Sequence, residues 1–349
     1  MRKVRIVKNW RWPDFLRQTP NRSGIWEGIS FTLEPVEACD YLIVSNKVNE
    51  AVTVTCPPEH VWSIVQEPPV DFRKAWHVNP PYSFRMLTTD PNLKGPQYIH
   101  SQPAISWHVN QDYDFLSALK VSDLDKTGQL SWITSQERYL KGHRARMKFL
   151  RGIQGKLAID LIATYHYYLL RQRGTREEIA AEQAKLGFTC VEDKWGGLAP
   201  YRYSIAVENY SNPFYWSEKL ADCYLAWCMP IYYGCTRITD YLPAESLIQI
   251  DINQPDAAIE IIKEAIANNA WQRNLDAIAY ARELILNRYQ FFPLMVRQIR
   301  HFESTYGSFF PKKQVTIVPR ESKTPLLPQM ERKTKHLLVR LLRLMGAKR

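Results

Sequence analysis

Between Tyr201 and Asp251 the chain gathers Glu208, Asn209, Ser211, Asn212, Ser217, Glu218 and Lys219 where a strand pattern gives way to a helix pattern. Carboxylates, amides and an ammonium group at such a junction suit the capture of an anionic ligand. Open α/β sheets bind ligands at the carboxyl ends of their strands, and helix N-termini favour negative charge. Ser217 can N-cap a helix whose apolar residues Leu220, Cys223, Tyr224 and Trp227 fall at i, i+3, i+4 and i+7 before Pro230 closes the segment. Lys219 then lies in the first turn, where the helix dipole disfavours a cation. Its charge is better placed to neutralise a bound phosphate than to stabilise its own helix. Glu218 suits a first turn on structural grounds alone.

Other routes to chemistry lack their motifs. No GxGxxG turn follows a strand, and neither a GxSxG elbow nor a Walker A loop occurs, which removes the dinucleotide dehydrogenase, α/β-hydrolase and P-loop readings. A bound phosphate must therefore be held by side chains and helix termini. Cys39, Cys56, Cys190, Cys223, Cys228 and Cys235 have no paired CxxC spacing and read as reduced core thiols rather than zinc ligands. In CPPEH, two prolines separate Cys56 from Glu59 and His60, and no second ligand pair follows. Two Asp-x-Asp triplets, Asp112 with Asp114 and Asp123 with Asp125, have the form of a manganese motif but read as turn and capping residues. None of the eight histidines has a partner legible in the sequence, and all read as structural.

The elements that must position these groups follow from apolar patterning. At 349 residues, with 45% apolar and 12% aromatic content, the chain has material for two cores. β-rich segments at Lys3 to Val7, Tyr41 to Val44, Val52 to Thr55, Val61 to Val65 and Tyr98 to His100 alternate with Pro-rich polar loops. After Lys126-Thr127-Gly128 a strand begins at Leu130 and a basic helix follows from about Gly142. Helical patterns recur at Arg176 to Leu186, Pro255 to Asn268 and Trp271 to Phe302. The expected class is α/β, with two Rossmann-like domains facing a central cleft. Residues 1–125 and 126–310 are the expected domains, the last long helix being free to pack back on the first, and residues 311–349 form a Pro-containing linker and tail.

The polar junction resembles the donor-binding signature of the family 10 glycosyltransferases, the α-1,3/1,4-fucosyltransferases. Their pattern of (F/V)EN, a short loop, an aromatic and (T/S)EK is met by Val207-Glu208-Asn209, the loop YSNPF, Tyr215 and Ser217-Glu218-Lys219. The likeness continues through MPIYYG and YLPAESLIQI and covers most of the second half. It implies the GT-B fold and an inverting transfer of fucose from GDP-β-L-fucose to a saccharide hydroxyl, in surface polysaccharide or lipopolysaccharide synthesis or protein glycosylation. By the same resemblance Lys219 contacts the donor pyrophosphate, Glu218 binds donor hydroxyls, and Glu208, Asn209 and Tyr215 line the donor site. The segment SWITSQERYLKGHRARMKFL is similar to the one bearing the family's phosphate-binding arginine, placed at Arg146. Arg144 and Arg146 diverge by about 200° on a helix, so only one of them can face the site. VWSIVQEPPVDF resembles the segment of the catalytic base, which makes Glu67 the candidate, on a loop stiffened by Pro68-Pro69. With two cations facing the diphosphate no metal cofactor is required, and stimulation by a divalent ion stays open.

Charge adds an expectation about partners. The net charge is +11, and residues 331–349 hold seven Lys/Arg against one Glu. There Leu337, Leu338, Leu341, Leu342, Leu344 and Met345 form an apolar face opposite Lys333, His336, Arg340 and Arg343. Such a helix fits an anionic membrane surface, so the expected partners are a GDP-sugar, an oligosaccharide or glycolipid acceptor and the inner face of the plasma membrane. The opening MRKVRIVKNWRWPDF has no signal-peptide character, and a cytoplasmic location is expected. Alternative readings are a GT-B transferase using another nucleotide sugar and a basic nucleic-acid-binding protein. The second predicts aromatics interleaved with cations, whereas here the aromatics lie mostly in apolar runs.

Overall fold

The computed structural model describes residues 1–319. The amphipathic tail read at 331–349 lies outside the described residues. In the first part of the chain the strands are β1 (Arg2–Lys8), β2 (Ile25–Trp26), β3 (Ile29–Thr32), β4 (Tyr41–Ser45), β5 (Val52–Cys56), β6 (Val61–Ile64), β7 (Arg85–Thr88) and β8 (Tyr98–His100). Seven of them form one sheet in the order β2-β3-β1-β4-β6-β7-β8, parallel except between β2 and β3. Every residue of β4 is buried, as befits a parallel strand covered on both faces.

The second sheet is built from β9 (Gly128–Ile133), β10 (Asp160–Thr164), β11 (Thr189–Val191), β12 (Tyr201–Val207), β13 (Met229–Tyr233) and β14 (Ile248–Gln249). All its pairs are parallel, in the order β11-β10-β9-β12-β13-β14. In each sheet the chain first builds to one side of its opening strand and then returns to the other side. The reversal falls between β1 and β4 in one sheet and between β9 and β12 in the other. These switch points open a crevice beyond the carboxyl ends of the strands, where such sheets bind ligands.

Two parts of the chain depart from the sequence reading. The run from Trp271 to Phe302, expected as one helix, is divided into Ala270–Arg273, Leu275–Leu284, a π turn at Ile285–Tyr289 and Phe291–Tyr306. Gln290 accounts for the last break, because its side chain accepts from Phe292 N at 3.1 Å and starts a new helix. That helix buries Phe291, Phe292, Met295, Ile299 and Phe302 against Val4, Ile6, Ile43 and Trp62 of the first sheet. The second sheet has its own core around Trp132, Tyr203, Trp216 and Ile231. The other departure is β15 (Lys313–Ile317), which lies within the stretch read as linker and pairs antiparallel with β5.

Candidate active site

A cleft of about 560 Å³ lies where strand ends from both sheets converge. Asn9, Asn46, Gln66 and Glu67 reach it just past β1, β4 and β6, while Thr134, Ser135 and Asn209 reach it just past β9 and β12. Of the residues singled out in the sequence, Glu67, Arg146, Asn209, Tyr215, Glu218 and Lys219 all line this one space.

The wall contributed by the second sheet is set by a short chain of hydrogen bonds. Ser217 caps the helix Glu218–Leu225, its Oγ accepting from Lys219 N at 3.4 Å. Its own N–H donates to Glu208 Oε1 at 2.7 Å, and its hydroxyl lies 2.7 Å from Glu208 Oε2. Glu208, expected at the donor site, is buried and is not among the residues that line the cleft. It stands behind the wall and holds the cap. Lys219 Nζ lies 3.2 Å from Glu218 Oε1 and 3.5 Å from Glu208 Oε2. Burial alone would lower the Lys219 pKa, but these two carboxylates outweigh it and raise it, so the ammonium stays charged. Burial alone would likewise raise the Glu218 pKa. The Lys219 and Lys194 ammonium groups instead hold it well below the usual carboxylate range.

Arg146 projects from the helix Lys141–Ile153 and is buried, with Nη1 donating to Asn209 Oδ1 and Nη2 to Ser135 O, each at 2.9 Å. The guanidinium thereby joins the ends of β9 and β12. Arg144 turns away and donates to the carbonyls of Arg138 and Tyr139 at 3.3 Å. Gly142 lets this helix approach: a Cβ there would collide with the backbone carbonyl of Asn209. Ser211 and Asn212 serve the loop itself. Ser211 donates to Gly234 O, and Asn212 Oδ1 accepts from Phe214 and Tyr215 N while its Nδ2 donates to Thr89 O of the other half.

On the facing wall, Glu67 Oε2 pairs with Arg73 Nη1 at 2.5 Å. The neighbouring Gln66 fixes the strand end, its N–H donating to Asn46 Oδ1 and its Nε2 to Ala104 O, both at 2.8 Å. Tyr215 is buried between the walls, and its phenol is pushed well above its ordinary pKa by burial and by Glu208, Glu67 and Glu218.

Several cleft residues gave no signal in the sequence. Lys194 Nζ lies 2.7 Å from Asp222 Oδ2 and 3.7 Å from Glu218 Oε1, and those carboxylates raise its pKa against the effect of burial. His108, His143 and His166 also line the cleft, contrary to their reading as purely structural. Burial lowers the His108 pKa to about 3 and that of His143 to about 4. Trp12 packs between His108 and His166 in tilted contacts, at ring distances of 4.7 and 4.4 Å. The aspartate triplets behave as turn chemistry predicts. Asp112 caps the helix Tyr113–Ala118 by accepting from Phe115 N, and Asp123 accepts from Lys120 N. Among the described residues no group of three or more His, Cys, Asp or Glu side chains could hold a metal ion. No helix among them is long and apolar enough to cross a membrane.

No family model matches the chain, and no curated protein sequence does. Solved structures do match. An alpha-glucosyltransferase in complex with UDP and a 13-mer DNA containing a central A:G mismatch superposes with a TM-score of 0.51 at 11% identity, over 87% of this chain and 100% of that one. Anabaena Alr3699/HepE in complex with UDP-glucose gives 0.50 at 9% identity, over 87% and 100%. These two likenesses decide the architecture. The chain has the GT-B fold. An alpha1,3-fucosyltransferase with GDP is also similar, at a TM-score of 0.47 and 16% identity over 84% of this chain and 93% of that one. The fold assignment rests on the first two, and the GT-B frame accounts for the facing switch points and the cleft between them.

Proposed function

We propose that this protein is an inverting glycosyltransferase that moves fucose from GDP-β-L-fucose to a hydroxyl of an oligosaccharide or glycolipid acceptor, in α-1,3 or α-1,4 linkage. The observation that carries the reading is the convergence of Arg146 and Lys219 at the β9/β12 switch point, across one cleft from Glu67. In this reading residues 126–310 bind the donor and residues 1–125 the acceptor. The basic segment 331–349 supports docking on anionic membrane, on the cytoplasmic side.

The chemistry follows from charge. As the bond from the anomeric carbon to the diphosphate oxygen lengthens, negative charge grows on the leaving group and positive charge spreads over the sugar ring. Arg146 and Lys219 stabilise the leaving charge without reorganising, because each is already held in place by its neighbours. The acceptor hydroxyl attacks from the opposite face, which inverts the anomeric centre, and Glu67 takes its proton. Arg73 occupies Oε2 of Glu67, leaving Oε1 to accept. Asn209 holds Arg146, and Glu208 holds the Ser217 cap that presents Lys219.

The test is a donor screen that follows release of GDP or UDP from a panel of nucleotide sugars with assorted saccharides. GDP release from GDP-fucose that depends on acceptor is the expected result. A preference for UDP-sugars would sink the fucosyl assignment, and binding to DNA or RNA without any transfer would sink the enzyme reading. Glu67→Gln should lower turnover by about 10²- to 10⁴-fold. Near-normal turnover in that variant would remove Glu67 as the base.

A further inference from the structure

We infer that His108 is a further donor-contacting residue, one that recognises the sugar rather than the nucleotide by sharing a sugar hydroxyl with Glu218. This rests on the glycosyltransferase reading above and adds a specificity element to it. His108 belongs to the segment linking the two sheets, yet its side chain lines the cleft beside Glu218, Lys194 and Lys219. Its Nδ1 lies 3.8 Å from Glu218 Oε1, too far for a direct hydrogen bond, and neither ring nitrogen is engaged in a hydrogen bond with a described residue. A hydroxyl placed between the two groups can donate to the carboxylate and bond the imidazole at once. Neutral imidazole offers one donor and one acceptor, the complement of a hydroxyl, and desolvation of this half-buried ring lowers its pKa and so favours the neutral form.

The position is built rather than incidental. The backbone N–H of His108 donates to Asp222 Oδ1 at 2.8 Å, and the other Asp222 oxygen takes Lys194 at 2.7 Å. Asp222 lies on the helix that Ser217 caps, so the linking segment is pinned directly to the wall that carries Glu218 and Lys219. Trp12 packs against the ring at a tilt, with the ring centres 4.7 Å apart. A ring needed only for packing has no use for an Nδ1 held beside the Glu218 carboxylate without a hydrogen bond. Arg146 and Lys219 are the expected partners of the diphosphate and should affect nucleotide and nucleotide sugar alike. His108 should affect only the ligand that carries a sugar.

The test is equilibrium binding of GDP and of GDP-fucose to wild type, His108→Phe and His108→Asn, by calorimetry. His108→Phe keeps an aromatic ring for Trp12 and should bind GDP within about twofold of wild type while losing about tenfold for GDP-fucose, the worth of one buried hydrogen bond. His108→Asn, which retains a donor and an acceptor, should recover part of the loss. An unchanged ratio of the two affinities in His108→Phe would overturn the proposal. So would an equal loss of both ligands in both variants, since that marks a structural ring. If wild type prefers UDP and a UDP-sugar, the same ratio is read on that pair; this corrects the donor assignment and still decides the role of His108. A wild-type chain that binds neither diphosphate overturns both readings.

Discussion

At the residue scale, the sequence left Arg144 and Arg146 as rivals, and helix geometry allowed only one of them to face the site. The structure turns Arg146 inward onto Asn209 and Ser135 and leaves Arg144 on backbone carbonyls outside. Arg146→Gln is therefore expected to lower kcat/KM by about 10²-fold, as for loss of a group that stabilises developing charge, while Arg144→Gln changes it by less than about twofold. Initial rates at varied donor concentration check both, and equal losses would contradict the division of roles. Which residues were legible has a physical reason. Ser217, Glu218 and Lys219 are neighbours in sequence, and the cap that organises them is local. Lys194 and His108 reach Glu218 from segments far away in the chain, so no spacing announces them. Glu208 was named through the motif Val207-Glu208-Asn209 that it shares with the family. One residue past β12 its carboxylate is buried and bonds the Ser217 cap, a contact between residues nine apart that the motif does not announce.

At the element scale, close approach of the helix Lys141–Ile153 to the end of β12 makes the Arg146–Asn209 contact possible, and Gly142 permits that approach. Gly142→Ala should push the helix away from the Asn209 carbonyl. The added methyl meets backbone, which cannot step aside as a flexible side chain can. The expected outcome is a stability loss of about 1–3 kcal/mol in urea titrations together with a raised donor KM. A variant of normal stability and normal KM would show that the helix does not position Arg146. In the first sheet β1, β4, β6 and β8 could be read from their apolar runs, whereas β2, β3 and β7 could not. The Arg-Met-Leu-Thr of β7 has little β character, and Arg85 is sheltered by the rings of Phe302 and Tyr306 at 4.7 and 5.0 Å. The first divisions of the run from Trp271 to Phe302 were equally hidden, since no proline or glycine marks the breaks after Arg273 and Leu284. The last break does carry a signal, because Pro293 falls in the first turn of the helix that Gln290 starts with a side chain that also meets Gln18 from the other end of the chain.

At the scale of the whole molecule, the two halves are joined by more than the linking segment. The helix Phe291–Tyr306 follows the second sheet in sequence yet completes the core of the first. Asn212 donates to Thr89, and Asp222 accepts from His108 N across the cleft. A cleft assembled this way buries imidazoles without a carboxylate hydrogen bond to keep them charged. Stability should therefore depend on pH in a range where most surface groups are silent. Burial, helped by Arg146, lowers the His143 pKa from 6.5 to about 4, whereas in the unfolded chain the ring titrates near its ordinary value. Between those two values the unfolded state binds a proton that the folded state does not. Stability is then full above about pH 6.5 and falls as the pH is lowered towards 4, by on the order of 2–3 kcal/mol for this ring. His108 acts in the same direction. Glu218 does not contribute over most of this range, because its depressed pKa confines its loss to pH values below about 4.5. His143→Gln removes one of the cleft rings whose pKa burial lowers. Its unfolding free energy, measured in urea at steps from pH 7 to pH 5, should fall less steeply than that of wild type. Parallel pH slopes for the two proteins would show that His143 is not held neutral in the cleft.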